Sequence, residues 1–333
     1  DRPSRELDLI AELVALVERQ HPAASRLRSL RGSLRDPSGV AASRQIARLH
    51  RLIGLLDSRR NQLFLPVAAL LLWTTQCALA IEAWRRRSGA RVGTWVEALA
   101  EYEVLAALAT FADEHPEYAW PVVRPGPAAL AAKDLAHPLL PRSGTGGNVL
   151  VRGDGLRLLV VSGSNMSGKS TMLRAAGVNT VLAQAGAPVR ASAMALSPLA
   201  VAASFRAVDS LQEGQSRFYA EIARLRKIMD LLDGDRPVLF LLDELLSGTN
   251  SHDRVIGAGA IVQHLVDRGA IGLITTHDLA LAGIVDGLAP RAANVHFEDH
   301  LEDGRLAFDY RLHPGVVQRS NALELMRSVG LEV

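Results

Sequence analysis

The spacing of apolar residues changes about a third of the way along the chain. From Glu6 to about Glu117 they recur every three or four residues, which predicts a series of helices. The clearest of these helices has one apolar stripe, formed by Ile46, Leu49, Ile53 and Leu56. A further helix over Trp95 to Ala112 is expected to pack Val96, Leu99, Val104, Leu105 and Leu108. The first third therefore predicts an all-α domain.

After a segment rich in Pro, Gly and Ala at 121–147, short apolar runs alternate with helical patterns. Three runs predict buried strands: Leu158–Val161, Val238–Leu242 and Ile271–Thr275. The helical patterns cover Ser170–Gln184, Arg217–Leu232 and Val255–Val266. This alternation is typical of a parallel sheet covered by helices, so the second part predicts an α/β fold.

Near the end of the chain the apolar period falls to two. Val295 and Phe297 lie on one side of Asp303-Gly304, and the alternating residues Leu306, Phe308, Tyr310 and Leu312 lie on the other. This pattern predicts a hairpin that joins the sheet.

Leu63 to Ile81 carries no charge over 19 residues, which is long enough to consider a membrane span. Pro66, Thr74, Thr75 and Gln76 interrupt the run, and charged residues bound its end at Glu82. We therefore interpret it as a buried helix of the helical domain, and we do not expect this stretch to contact a membrane.

Composition describes an ordinary soluble chain of 333 residues, with 48% hydrophobic and 22% charged residues. The length predicts two domains, 1–120 and 121–333. Cys77 is the only cysteine, which excludes an internal disulfide and fits a reducing, cytoplasmic location. Because the chain begins at Asp1 without methionine or a signal-peptide pattern, we expect it to be a fragment of a longer protein.

The net charge of +2 predicts no partner, but one region is basic. Between Arg26 and Arg60 nine arginines face only Asp36 and Asp57. Arg44, Arg48 and Arg51 share a face of the second helix, away from its apolar stripe. They could contact nucleic-acid phosphates, or they could be the solvated face of an amphipathic helix.

The strongest chemical signal is Gly163-x-x-x-x-Gly168-Lys169-Ser170, between a predicted strand and a predicted helix. Such a loop cradles phosphates, because its glycines let successive N–H groups point at one anion and the helix start adds positive potential. Lys169 is expected to reach the β- and γ-phosphates of ATP, and Ser170 to bind Mg²⁺. The predicted nucleotide-binding residues are Gly163, Ser164, Asn165, Met166, Ser167, Gly168, Lys169, Ser170 and Thr171.

A second signal is the apolar strand that ends in Asp243-Glu244, where the ligands of open α/β sheets bind. Asp243 is expected to hold Mg²⁺, directly or through water, and Glu244 to polarise the water that attacks the γ-phosphate. His277, at the end of a third strand, is suited to hydrogen-bonding the γ-phosphate.

These segments resemble the MutS family. Gly163–Thr171 has the Asn-Met form of the loop, the segment from Asp209 through Ser216 and Phe218 to Glu221 is similar to the family signature, and 243–253 resembles its Walker B strand and following loop. The resemblance implies an α/β P-loop NTPase of the ABC/MutS type, with a parallel sheet and flanking helices, preceded by an all-α core/lever-like domain.

The same resemblance implies a slow ATPase that uses ATP and Mg²⁺ and couples nucleotide state to DNA. It also implies a homodimer with composite sites, in which Ser216 serves the partner's ATP, and no small-molecule substrate beyond ATP. Ser164, Ser167 and Arg190 stand where the family usually has Pro, Gly and Pro, so the chain resembles a divergent branch of the family, and no Phe-x-Glu wedge occurs in this chain. Two alternatives stay open: a nucleotide-gated DNA-binding or scaffold module that scarcely hydrolyses ATP, and a membrane-associated relative without a repair role.

Overall fold

The computed structural model of the protein describes residues 2–36, 38–60, 64–141, 147–151, 155–164, 167–205, 217–302 and 305–317. The chain divides into two compact units, Asp1–Phe111 and Ala112–Val333. We call them the helical unit and the sheet unit.

The helical unit is built from helices, as the apolar spacing predicts. They are α1 (Arg2–Arg19), α2 (Ser25–Ser33), α3 (Ala42–Asp57), α4 (Leu65–Leu70), α5 (Trp73–Ser88) and α6 (Val92–Glu114), with 3₁₀ turns at Ser58–Arg60 and Gly89–Arg91. Its core gathers Val14, Leu34, Ile46, Trp84 and Trp95 from five different segments. The indole N–H of Trp84 donates to the Gln45 carbonyl at 2.8 Å, so α5 is attached to α3 by packing and by a buried hydrogen bond.

The interpretation of Leu63–Ile81 as a buried helix is wrong. The described part of this stretch contains α4 and the start of α5, which are separated at Leu72, a residue with φ of +49°. Leu70, Leu72 and Leu79 are 85%, 67% and 66% exposed. Only one side of α5 packs inward, through Cys77, Trp84 and Ser88. Among the described residues no helix has the length and apolar character needed to span a membrane.

The packing predicted for the last long helix is partly wrong. Val96 and Val104 are exposed on α6, whereas Trp95 and Ala98 are buried. Leu99 and Leu105 pack against the core as predicted, in partly buried positions. Apolar residues surround α6, so their spacing alone does not identify the packed face.

The sheet unit contains two sheets. Its strands are β1 (Val122–Val123), β2 (Leu130–Leu135), β3 (Gly147–Val151), β4 (Leu158–Ser162), β5 (Ala193–Leu196), β6 (Ala200–Ser204), β7 (Val238–Asp243), β8 (Ile271–Thr275), β9 (Ala292–Glu302) and β10 (Arg305–Pro314). Its helices are α7 (Lys169–Ala185), α8 (Arg217–Asp230), α9 (Ser251–Asp267), α10 (Leu279–Ala282) and α11 (Ile284–Leu288), with a 3₁₀ turn at Leu231–Asp233.

The larger sheet has the strand order β10-β9-β4-β8-β7-β6, and all neighbours except β10 and β9 are parallel. The smaller sheet has the order β1-β5-β2-β3. The predicted parallel sheet with flanking helices is therefore present. The predicted hairpin is also present as β9 and β10, although its turn residues Asp303 and Gly304 lie outside the described part of the chain.

Every residue of β4, β7 and β8 is buried, because both faces of the larger sheet are covered. Leu159, Leu241 and Leu273 belong to one apolar cluster with residues of α7. Val160, Phe240 and Ile274 belong to the opposite cluster with residues of α8 and α9. These three strands end side by side, with Thr275 of β8 paired with Val161 of β4 and with Asp243 of β7. Residues that follow each strand are thereby brought to one edge.

Candidate nucleotide-binding site

The loop between β4 and α7 begins and ends at glycines with left-handed backbone geometry. Gly163 has φ of +144°, and Gly168, the residue before α7, has φ of +101°. A Cβ atom at Gly163 would lie 3.0 Å from the Ser167 hydroxyl and 3.1 Å from the Phe297 carbonyl oxygen. Glycine is therefore required here by both conformation and space. Asn165 and Met166 lie outside the described residues.

Lys169 lies inside the curve of this loop. Its ammonium group donates to the Gly163 carbonyl at 2.8 Å and to the Ser164 carbonyl at 2.6 Å. The residue is only 6% exposed. A buried cation is therefore held beside the first turn of α7, where the helix dipole adds further positive potential.

The hydroxyl groups of Ser164 and Ser167 are buried and have no hydrogen-bond partner within the described residues. Buried hydroxyls in native proteins nearly always have a partner. Phosphate oxygens supply strong acceptors, so the loop as folded fits a phosphate group. Thr171, the last of the predicted binding residues, is exposed on the first turn of α7.

The first turn of α7 meets the end of β7 at Ser170. The Ser170 hydroxyl donates to Oδ1 of Asp243 at 3.0 Å, and β8 lies between β7 and β4, the strand that leads into the loop. Asp243 is 8% exposed. No group of three or more His, Cys, Asp or Glu side chains in the described ranges could hold a metal. A cation at Ser170 and Asp243 would therefore need further oxygens from phosphate or water, which suits Mg²⁺.

Thr275 links the two acidic residues at the end of β7, Asp243 within the strand and Glu244 directly after it. Its hydroxyl donates to Oδ1 of Asp243 at 2.6 Å and accepts the backbone N–H of Glu244 at 2.9 Å. Glu244 has φ of +52°, an uncommon conformation for a residue with a side chain. His277 is half-exposed, and its Nδ1 lies 3.7 Å from Oε1 of Glu244. The structure thus brings Lys169, Ser170, Asp243, Glu244 and His277 to one edge of the sheet.

Helix α8 contacts the turn that follows β7. A carboxylate oxygen of Glu221 accepts the backbone N–H of Leu246 at 2.7 Å. A Cβ atom at Gly248 would lie 3.3 Å from Cβ of Phe218. Ser216 lies outside the described residues, so its predicted role at a partner's nucleotide stays a prediction.

Tyr310 lies beside the loop between β4 and α7, a contact that the sequence did not predict. A β-bulge between Phe308 and Leu312 interrupts the hairpin, and within it Tyr310 has φ of +53°. A Cβ atom at Gly168 would lie 3.2 Å from the Tyr310 ring. The alternation of β10 gave no sign of this contact, because the bulge that produces it is not visible in the spacing.

Arg190, one of the residues that departs from the family pattern, is buried and holds the segment 137–141. Its guanidinium donates to the His137 carbonyl at 3.0 Å, to the Pro141 carbonyl at 2.6 Å and to the Leu140 carbonyl. Burial, together with the charges of Arg174 and Arg190, lowers the pKa of His137. The substitution at this position therefore supplies three backbone contacts that a proline side chain could not make.

These elements define a mixed α/β protein with a parallel-rich sheet and a glycine-bounded loop at the carboxyl ends of its central strands. The chain belongs to the MutS family, since the family model of MutS domain V matches residues 159–332.

Curated relatives agree with this membership. The chain is 34% identical over 245 residues to DNA mismatch repair protein MutS 2 of Halobacterium salinarum, which covers 72% of this chain and 28% of that protein. It is 34% identical over 234 residues to DNA mismatch repair protein MutS of an Exiguobacterium species, covering 68% and 27%. The matches thus span about a quarter of each relative.

Proposed function

We propose that this chain binds ATP with Mg²⁺ and hydrolyses it slowly, and that nucleotide state controls an interaction with DNA through the helical unit. The observation that carries the proposal is the 3.0 Å hydrogen bond between Ser170 and Asp243, which joins the phosphate-loop helix to the acidic strand end. DNA enters because the relatives are DNA mismatch repair proteins by name.

Each residue has a role that follows from its position. Lys169 would exchange its two carbonyl contacts for the β- and γ-phosphates, to which a cation binds more strongly. Ser170 and Asp243 would hold Mg²⁺, which neutralises phosphate charge when bound. Glu244 would accept a proton from the attacking water, and His277 would hydrogen-bond the γ-phosphate.

Equilibrium ATP binding and single-turnover hydrolysis test these roles. Lys169→Ala should weaken ATP binding by about 10- to 100-fold, because charge-assisted hydrogen bonds are lost. Glu244→Gln should bind ATP as the unmodified chain does and hydrolyse it about 10²- to 10⁴-fold more slowly. Lys227→Ala, which removes an exposed lysine of α8, is the matched control and should change neither quantity.

Equal losses of binding in the Lys169 and Glu244 variants would contradict the assignment. An unmodified chain that binds ATP but hydrolyses it no faster than Glu244→Gln would instead support a nucleotide-gated binding or scaffold module.

We further propose composite sites in a dimer, with Ser216 contributed in trans. Ser216→Arg and Glu244→Gln chains should each be inactive and regain hydrolysis on mixing, because a mixed dimer has one site with both halves intact. Mixed dimers without recovered activity would rule out the trans role.

A further inference from the structure

The helical unit contains an open cleft of about 580 Å³, and its walls carry four arginines. The lining residues include Arg44, Arg48 and Arg51 from α3 and Arg87 from the end of α5. We call this feature the arginine cleft. Since α3 and α5 pack together through Trp84 and Gln45, the arginines of both helices are held on one rigid pair.

Carboxylates do not neutralise these arginines. Arg44, Arg48 and Arg87 have no hydrogen bond or ion pair with any residue that the structure describes, and Arg51 contacts only the Ala47 carbonyl, at 3.4 Å. Three other arginines of the same unit are paired with carboxylates. Arg26 contacts Glu101, and Arg85 and Arg86 contact Glu82.

The one acidic side chain that lines the cleft is already engaged. Asp36 accepts hydrogen bonds from the Ser38 hydroxyl at 2.6 Å, the Val40 N–H at 2.8 Å and the Gln45 amide at 3.3 Å. These bonds, chiefly that from Ser38, lower the pKa of Asp36. Its carboxylate therefore faces its own turn, and the cleft keeps an excess of positive charge.

The spacing of the arginines fits a repeating anion. Arg44, Arg48 and Arg51 are four and three residues apart, so they climb α3 by about 10 Å at a rise of about 1.5 Å per residue. One strand of B-DNA has a phosphate about every 3.4 Å of helix axis, so this distance covers about three phosphates.

Of the exposed leucines in the same unit, Leu55 lies on the arginine face of α3, whereas Leu79 of α5 does not lie on the face of Arg87. Successive helix residues are turned by about 100°, which places Leu79 about 160° from buried Cys77 and about 80° from Arg87. A lipid surface that buried Leu79 would therefore not face Arg87 directly. A nucleic-acid backbone needs no such apolar contact.

We propose that the arginine cleft binds the phosphate backbone of double-stranded DNA, without reading its sequence. This inference rests on the DNA part of the proposed function and is independent of ATP hydrolysis. Phosphate contacts fix a protein on the duplex but carry no base information, so affinity for homoduplex and for G·T-mismatched DNA should be equal.

The test compares two double variants of the 333-residue chain without nucleotide, using a labelled 30-base-pair duplex and a salt titration. Arg44→Gln/Arg48→Gln removes two cleft arginines, and Arg85→Gln/Arg86→Gln removes the same charge from paired positions. Each lost phosphate contact should lower the salt slope by about 0.9, so the cleft variant should lose about 1.8 in slope and about 60-fold in affinity at 0.1 M salt. The control variant should keep both.

Circular dichroism of the two variants ensures that both are folded. Equal binding by the cleft and control variants would overturn the cleft and leave the DNA function standing. No DNA binding by the unmodified chain at low salt would overturn both. Binding to vesicles of phosphatidylserine and phosphatidylcholine is measured last. Vesicle binding that depends on the cleft arginines, without DNA binding, would show that the cleft binds a lipid surface instead of DNA. A tenfold preference for mismatched over homoduplex DNA would contradict a site that contacts only the backbone.

Discussion

Strand β7 and the segment formed by α4 and the start of α5 are both long apolar runs, but the protein treats them differently. All six residues of β7 are buried. Leu70, Leu72 and Leu79 are exposed. The strand has hydrogen-bonded neighbours on both edges and an apolar cluster on each face, whereas α5 packs through one face only. An apolar run is therefore buried only as far as neighbouring elements cover it.

The largest expected effect lies in the sheet. Phe240→Ala should destabilise the sheet unit by about 3–5 kcal/mol, because it removes a fully buried ring and leaves a cavity. The ring also fills the space beside Gly272, where a Cβ would lie 2.3 Å from it. Urea titration with hydrogen-exchange mass spectrometry of peptides within 238–275 measures this region separately from the helical unit. A decrease of less than about 1 kcal/mol in the free energy of unfolding would contradict the contrast between buried β7 and the exposed run of α4 and α5.

The corresponding change in the helical unit should have little effect. Leu70→Ala should alter the free energy of unfolding by no more than about 0.5 kcal/mol, since an 85% exposed side chain loses little packing. The same measurement on peptides within 65–88 is the check. Destabilisation above about 2 kcal/mol would show that Leu70 is covered in solution, and the contrast with β7 would then fail.

The smallest expected effect is electrostatic and concerns α5. Hydrogen bonds from Arg85, and then from Arg86, lower the pKa of Glu82 to about 2 from its ordinary value of 4.5. A lowered folded-state pKa contributes stability that is fully present above pH 4.5 and is lost as the pH falls towards 2. The thermal midpoint of the unmodified chain should therefore fall slightly more than that of Glu82→Gln over this range. Parallel curves would show that the pair contributes nothing measurable.

The central strands β4, β7 and β8 and the helices α7, α8 and α9 could be predicted because their signals are local, whereas the smaller sheet and β6 were not predicted. A run such as Val238–Leu242 determines a buried strand, and Asp243 must then follow at its end. The bridging role of Thr275 could not be predicted, because its contacts to Asp243 and Glu244 span 32 and 31 residues. The same holds for Tyr310 beside Gly168, which depends on a bulge.

In the helical unit, the helices could be predicted but not all of their buried faces. The stripe on α3 predicted its buried side, since Ile46 is buried and Arg44 and Arg48 are exposed. The packed face of α6 could not be assigned, because apolar residues occur all around it. The exposure of the apolar run at 63–81 could not be predicted either, because the sequence does not say how many neighbours a helix has. The sequence likewise does not distinguish Arg87, which lines the arginine cleft, from Arg85 and Arg86, which pair with Glu82, because that difference depends on how α5 packs on α3.

The hydroxyl of Thr275 also has a consequence for how this protein can evolve. It hydrogen-bonds both Asp243 and the backbone of Glu244, so the acidic pair at the end of β7 depends on a single side chain of β8. Valine at position 275 would keep the shape and lose both bonds, while serine would keep the bonds. In an alignment of homologues, positions 243 and 275 should therefore vary together, with a hydroxyl retained at 275 wherever the acid at 243 is retained.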